Sequence, residues 1–163
     1  MLVVFDLDGT LADCRHRLHW IMPDPARDPV TNKKVARRFD KFERDIPNDT
    51  PILPVVEIYK QFLSDGDTIV VLLTGRNESA RDDTTEWLTK WHLNGYAKLY
   101  MKDADGPYVP DTEQKLRLAD QIEKDWEQPI DMVFEDRPRV VEMWKKRGTF
   151  VINVDQSIET SNS

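Results

Sequence analysis

Residues 4–11 read VFDLDGTL, an apolar burst interrupted by Asp6 and Asp8. Folding alone gives no reason for two acids there, because an unpaired buried carboxylate is costly. Chemistry supplies one. Carboxylates at i and i+2 at the end of a strand face the same side, so one can attack as a nucleophile while the other, protonated, serves as general acid. A carboxylate nucleophile suits phosphoryl transfer, since the acyl phosphate it forms is readily hydrolysed. Gly9 lets the chain turn sharply, and the backbone N–H groups of Gly9 and Thr10 can hold phosphate oxygens. The plain alternative is a strand followed by an Asx or glycine turn.

Three more stretches carry matching chemistry. In LLTGR (72–76), Thr74 and Gly75 offer a hydroxyl and an open backbone, and Arg76 a bidentate fork for phosphate. On its own, strand–Thr–Gly is a common loop. In PDTEQKLRLAD (110–120), Lys115 can neutralise a phosphoryl group; alone, Asp111 and Lys115 make an i,i+4 surface pair of small energetic value. In MVFEDRP (132–138), Glu135 and Asp136 are adjacent acids able to hold a divalent cation. Mg²⁺ takes a few carboxylates together with phosphate and water oxygens. Acids are also favoured at a helix start for their charge alone.

The elements that must position these groups alternate. Short β-branched runs at 2–6, 68–74, 97–101, 131–135 and 149–154 are apolar throughout, as strands covered on both faces are. Helical patterns lie at 51–65, 78–92, 112–125 and 137–147; Asp111 and Thr112 are expected to cap the third, and Gly148 to end the fourth. This alternation predicts an α/β fold, a Rossmann-like, doubly wound parallel sheet. Ligands then sit at the carboxyl ends of the strands, where Asp6, Thr74, Lys102–Asp103 and Glu135–Asp136 all fall. Residues 12–50 break the pattern. They show no strand and are rich in Arg15, Arg17, Arg27, Lys33, Lys34, Arg37, Arg38, Lys41 and Arg44. KKVARRFDKFERD (33–45) reads as helical, and the segment is expected to be a small helical cap inserted after the first strand. The alternative is a surface excursion with solvated charges. Residues 1–155 are thus expected to form one domain, with a flexible tail at 156–163.

Composition narrows the function. Hydrophobic residues are 39% and charged residues 33% of the 163, which is globular, and no apolar run approaches the ~20 residues needed to cross a bilayer. No secretory leader is read at the start, and Cys14 is the single cysteine, so the expected setting is the cytoplasm. A net charge of −7 argues against an extended nucleic-acid surface but allows a local basic pocket for one nucleotide or strand end. His16, His19 and His92 show no metal-ligand spacing. The five tryptophans read as core, with Trp20 alternatively stacking on a base.

The order DLDGT, TGR, a downstream lysine and ED resembles the haloacid dehalogenase (HAD) superfamily of phosphotransferases over about 1–11 and 51–154. TGRNESARDDTTEWL, DTEQKLRLADQI and VVEMWKKRG make it most similar to the 3′-phosphatase domain of bacteriophage polynucleotide kinase-phosphatase, and if phage-encoded it would work in the host cytoplasm. The resemblance implies Asp6 as nucleophile and Asp8 as acid and then base. It implies Thr74 and Lys115 on phosphate, and Arg17, eleven positions after Asp6, with Arg76 on phosphate or nucleotide. Asp111 would position Lys115. Mg²⁺ would be held by Asp6, the Asp8 carbonyl and Asp136, with Glu135 acting through water. The expected substrate is a nucleotide or nucleic-acid 3′ end. Free mononucleotides or sugar phosphates are the alternative, and a non-catalytic phosphate-binding module is a third. No kinase P-loop pattern is present.

Overall fold

The computed structural model describes residues 1–22, 26–28, 30–36 and 38–155. The expected tail at 156–163 and Arg37 lie outside them. In chain order the elements are β1 (Leu2–Phe5), β2 (Ala12–Asp13), β3 (Ala26–Arg27), β4 (Lys34–Val35), α1 (Phe39–Arg44) and β5 (Thr50–Pro51). They continue with α2 (Leu53–Ser64), β6 (Ile69–Asn77), α3 (Arg81–Lys90), β7 (Lys98–Lys102), α4 (Asp111–Trp126), β8 (Met132–Glu135), α5 (Pro138–Arg147) and β9 (Phe150–Asn153). Three 3₁₀ turns, Arg15–Trp20, Ile46–Asn48 and Glu78–Ala80, link them.

Five strands form a parallel sheet in the order β7-β6-β1-β8-β9. Alternating side chains of β1 feed two cores. Val3 and Phe5 join Val55, Val56 and Tyr59 of α2 and Trp87 and Leu88 of α3, whereas Leu2 and Val4 join Ala119 and Ile122 of α4 and Val140 and Trp144 of α5. Helices therefore cover both faces, as the all-apolar strands require. The Phe5 ring stacks on Phe134 with centroids 4.2 Å apart and meets Tyr59 edge-on at 5.1 Å. From β1 the chain winds one way to β6 and β7, then crosses back to β8 and β9. The switch point lies between β1 and β8, where a ligand crevice opens at the carboxyl ends.

Residues 12–50 differ from expectation. Four short strands occur in a segment read as strandless. β2 pairs antiparallel with β5, joining the segment's two ends at the sheet, and β3 pairs with β4. The helix expected over 33–45 is confined to Phe39–Arg44. The cause is local: Asp28 accepts the N–H groups of Val30 and Thr31 on its side chain, and Asn32 adopts φ 55°, so the chain reverses into a hairpin before Val35. Two helices also start late. Pro51 is taken up by β5, so α2 begins at Leu53, and a 3₁₀ turn precedes α3. The helix α5 ends at Gly148, φ 83°, as the glycine predicts.

Trp87 and Trp144 are both fully buried, but only one indole N–H is paired: Trp87 donates to the Asp49 carbonyl at 2.8 Å, while Trp144 has no partner among the described residues. Trp87→Phe strands a buried carbonyl and Trp144→Phe does not. Urea unfolding should show Trp87→Phe less stable than Trp144→Phe by about 1–3 kcal/mol; equal losses would contradict this.

Candidate active site

Asp6 follows β1 directly and is buried at the switch point. Its Oδ1 accepts from Lys115 Nζ at 2.8 Å and its Oδ2 from the Thr10 hydroxyl at 3.2 Å. Lys115, from the first turns of α4, is itself buried and also donates to Glu135 Oε2 at 2.5 Å. Glu135 ends β8, and its other oxygen accepts the backbone N–H groups of Asp136 and Arg137, both at 3.1 Å. One ammonium thus serves two carboxylates.

Among the described residues the third acid, Asp136, forms no ion pair, and its buried Oδ1 has no hydrogen-bond partner. Carboxylate oxygens of Asp6, Glu135 and Asp136 all lie within 4.8 Å of one another. Burial, Asp6 and Glu135 together push the Asp136 carboxyl up to about 9. Burial and Glu135 push Asp6 up to about 6 against the pull of Lys115. Glu135 is lowered although burial opposes this, because Lys115 and the two backbone donors favour its charged form. An orphaned carboxylate oxygen among three converging acids fits a small divalent cation, which takes oxygen ligands. The approach is tight: a Cβ at Gly9 would stand 2.0 Å from Asp136 Oδ2, and Gly9 has φ 82°. No other residue fits there.

Asp8 has a different environment. Its Oδ1 accepts from Arg17 Nη2 and from Arg76 Nη2, both at 2.6 Å. Burial alone would raise its pKa; the Arg76 and Arg17 guanidiniums outweigh burial and hold it well below the usual carboxylate range. Both arginines are buried and both reach a second acid, Asp49. Arg17 grips Asp49 with two N–H groups at 2.8 Å, and Arg76 reaches Asp49 Oδ2 at 3.1 Å. Arg17 also stacks on Phe42, 4.0 Å from the ring centroid, and Arg76 donates to Thr84. His16 Nε2 lies 2.7 Å from Asp49 Oδ1.

The remaining expected groups are placed as follows. β6 continues through Thr74, Gly75 and Arg76 to Asn77, so these residues are strand rather than loop. Thr74 is buried and its hydroxyl oxygen accepts the Arg76 N–H at 3.2 Å, leaving its own proton to donate. Gly75 faces open space. Asp111 does not cap α4, which has Pro110 at that position with no side-chain cap, and does not touch Lys115: it pairs with Arg137. Asp6 and Glu135 fix Lys115 instead. Lys102 and Asp103 do not join the cluster; Lys102 lies over Tyr108, 5.8 Å from the ring centroid, and Asp103 accepts the N–H of Asp105. Cys14 is buried, which pushes its thiol up and leaves it inert. Trp20 donates to Asp45 and lies under Lys41.

Asp49 and Arg137 were not singled out by the sequence. A signal for Asp49 existed: two arginines aimed at one acid have more N–H groups than Asp8 can satisfy, so a second acid is needed.

The geometry has counterparts. Residues 36–157 match the family model described as the polynucleotide kinase PNKP phosphatase domain. A relative in Autographa californica nuclear polyhedrosis virus, named "Putative bifunctional polynucleotide kinase/RNA ligase", is 30% identical over 143 residues, covering 88% of this chain and 17% of the relative. The structure of a Pnkp1/Rnl/Hen1 complex aligns with TM-score 0.70 at 26% identity, over 94% of this chain and 45% of that one. The chain therefore spans less than half the length of either. A HAD-superfamily hydrolase from Geobacter sulfurreducens aligns with TM-score 0.55 at 12% identity, over 93% of this chain and 85% of that one, which speaks to the fold alone. Among the described residues no helix is long and apolar enough to cross a membrane. With most of its length matched, the chain belongs to the PNKP phosphatase-domain family of the HAD superfamily, and it is a phosphatase.

Proposed function

We propose that the protein is a Mg²⁺-dependent phosphomonoesterase that works through an aspartyl phosphate on Asp6, with a nucleic-acid 3′ end or a nucleotide as substrate. The observation that carries this is the division of labour between the two acids of DLDGT: Asp6 lies with Lys115 and the acid cluster, Asp8 with two guanidiniums. Asp6, the Asp8 carbonyl and Asp136 would hold Mg²⁺, and its charge would screen the approach of a carboxylate to a phosphate. Glu135, with both oxygens already engaged, fits a role through water and through Lys115.

The chain's own groups do the rest. Asp6 Oδ attacks phosphorus, and the phosphorus–oxygen ester bond breaks. Lys115 and Thr74 offset charge on the transferred group, as preorganised donors do. Asp8 is ionised while both arginines grip it. Once Arg17 and Arg76 turn toward the incoming phosphate, Asp8 can take up a proton from solvent and pass it to the departing oxygen. Asp8 then takes a proton from the water that hydrolyses the acyl phosphate, which restores Asp6. Residues 12–50 bring Arg17 and Asp49 over this point and act as the cap, and 1–155 work as one domain. The polynucleotide assignment rests on the family match and on the PNKP-type relatives.

Asp6→Asn should remove turnover of p-nitrophenyl phosphate while circular dichroism stays native. Asp8→Asn should cost ~10²–10⁴-fold on a 3′-phosphorylated oligonucleotide and much less on p-nitrophenyl phosphate, whose leaving group needs no proton. Equal losses on both substrates would rule out the acid role. Mg²⁺ at a hundred times its Kd should stabilise the protein by about 2.7 kcal/mol, read as a rise in melting temperature. Asp136→Asn should abolish that rise, and an undiminished rise would remove Asp136 from the metal site. Comparing a 3′-phosphorylated oligonucleotide with free mononucleotides and a sugar phosphate tests the substrate class.

A further inference from the structure

One partner of Asp49, His16, has no part in the chemistry above. The grip on Asp8 cannot be loosened alone. Arg17 Nη2 donates to Asp8 Oδ1 at 2.6 Å and to Asp49 Oδ2 at 2.8 Å, and Arg76 Nη2 donates to the same two oxygens at 2.6 and 3.1 Å. When both arginines turn toward a phosphate, Asp49 gives up those contacts as well. Its side chain is fully shielded from water, and a buried charge stripped of its partners is costly. Trp87 donates to the Asp49 backbone carbonyl and does nothing for the carboxylate. His16 is placed to help: its Nε2 lies 2.7 Å from Asp49 Oδ1, and its side chain is 38% exposed, so water reaches the ring. Of the other charged groups around it, Arg15 pairs with Asp13, Arg17 shares Asp49 Oδ1, Arg76 holds Asp49 Oδ2, and Asp45 accepts from Trp20. Asp49 is therefore the acid that His16 answers to.

We propose that His16 is a positioning residue that releases the two arginines to the substrate: as phosphate draws Arg17 and Arg76 off Asp49, His16 takes a proton from water, and its imidazolium keeps the buried carboxylate paired. The inference rests on the phosphatase reading above and concerns how that site admits its phosphate. A neutral imidazole donates one N–H and brings no charge. The imidazolium donates from both nitrogens and adds a unit of the charge that the departing guanidiniums remove. The cycle balances. Phosphate enters, both guanidiniums move onto it, and one proton passes from water to His16 while Nε2 stays on Asp49. When product phosphate leaves, the guanidiniums return to Asp49 and the proton goes back to water. In this role His16 acts on the reaction only through Asp49.

The test follows the imidazole signals of the parent protein by nuclear magnetic resonance slightly above neutral pH, with inorganic phosphate as the probe. The chain has three histidines, His16, His19 and His92, and His19→Gln and His92→Gln assign the signals by elimination. Saturating phosphate should convert His16, and neither of the others, to the imidazolium pattern; a merely structural histidine would not change charge. Inhibition of p-nitrophenyl phosphate turnover by phosphate gives a second reading. His16→Gln keeps an N–H but no charge and should raise the Ki of phosphate about tenfold. His16→Lys carries a permanent charge and should restore most of the affinity. The signals of the parent carry the test even if a His16 variant unfolds. A parent that turns over p-nitrophenyl phosphate but escapes inhibition by phosphate, or whose His16 has the same charge with and without it, overturns the inference and leaves the phosphatase reading standing. So does a Ki unmoved by His16→Gln, or raised equally by His16→Lys. A parent inactive on both p-nitrophenyl phosphate and a 3′-phosphorylated oligonucleotide overturns both.

Discussion

The site depends on a shortage of positive charge. At the carboxyl ends of β1 and β8, three acids, Asp6, Glu135 and Asp136, share one buried ammonium from Lys115. A few ångströms along the chain, Asp8 and Asp49 share two buried guanidiniums and balance. Removing a partner from a buried charge cluster is expensive, so each half is held in place by the other charges in it. The balanced half is finished as it stands. Burial, together with the unscreened charges of Asp6 and Glu135, raises the Asp136 carboxyl, and this shortage of positive charge is the physical ground for proposing a cation there. Asp6 and Asp8 differ in environment although a single residue separates them.

The sheet makes this arrangement inexpensive to build. β1 lies between β6 and β8, so residues ending three neighbouring strands meet without long loops. The two cores flanking β1 fix its height relative to α4, which supplies Lys115. On the other side, the β2–β5 pairing closes the 12–50 segment at its base, and Trp87 ties the Asp49 backbone to α3. Arg17 can reach Asp8 because its turn starts two residues after β2. The clamp on Asp8 is therefore a property of the segment as well as of the sheet.

The sheet, its parallel winding and the positions of Asp6, Asp8, Thr74, Glu135 and Asp136 were legible because each has a local cause, an apolar run that ends where polar chemistry begins; Lys115, on a helix, stood out only beside the resemblance. Arg17 was legible only through resemblance. Residues 12–50 were not, since charged runs such as 33–45 suit a solvated helix and a hairpin equally, and the deciding feature was the Asp28 turn. Asp111 misled for a related reason. Spacing of four suggests a pair with Lys115, but a lysine drawn inward by two buried acids leaves Asp111 to the more exposed Arg137. Asp49, whose side chain meets partners more than 25 residues away in sequence, became visible only once the arginines were placed.

The central claim is that Asp6 becomes covalently phosphorylated. It is tested most directly by acid-quenching turnover of a substrate carrying labelled phosphate and following the label on the chain. Label is expected on the peptide containing Asp6, released by hydroxylamine as an acyl phosphate should be, and absent from Asp6→Asn. Turnover with no labelled protein, or label that persists in Asp6→Asn, would contradict it.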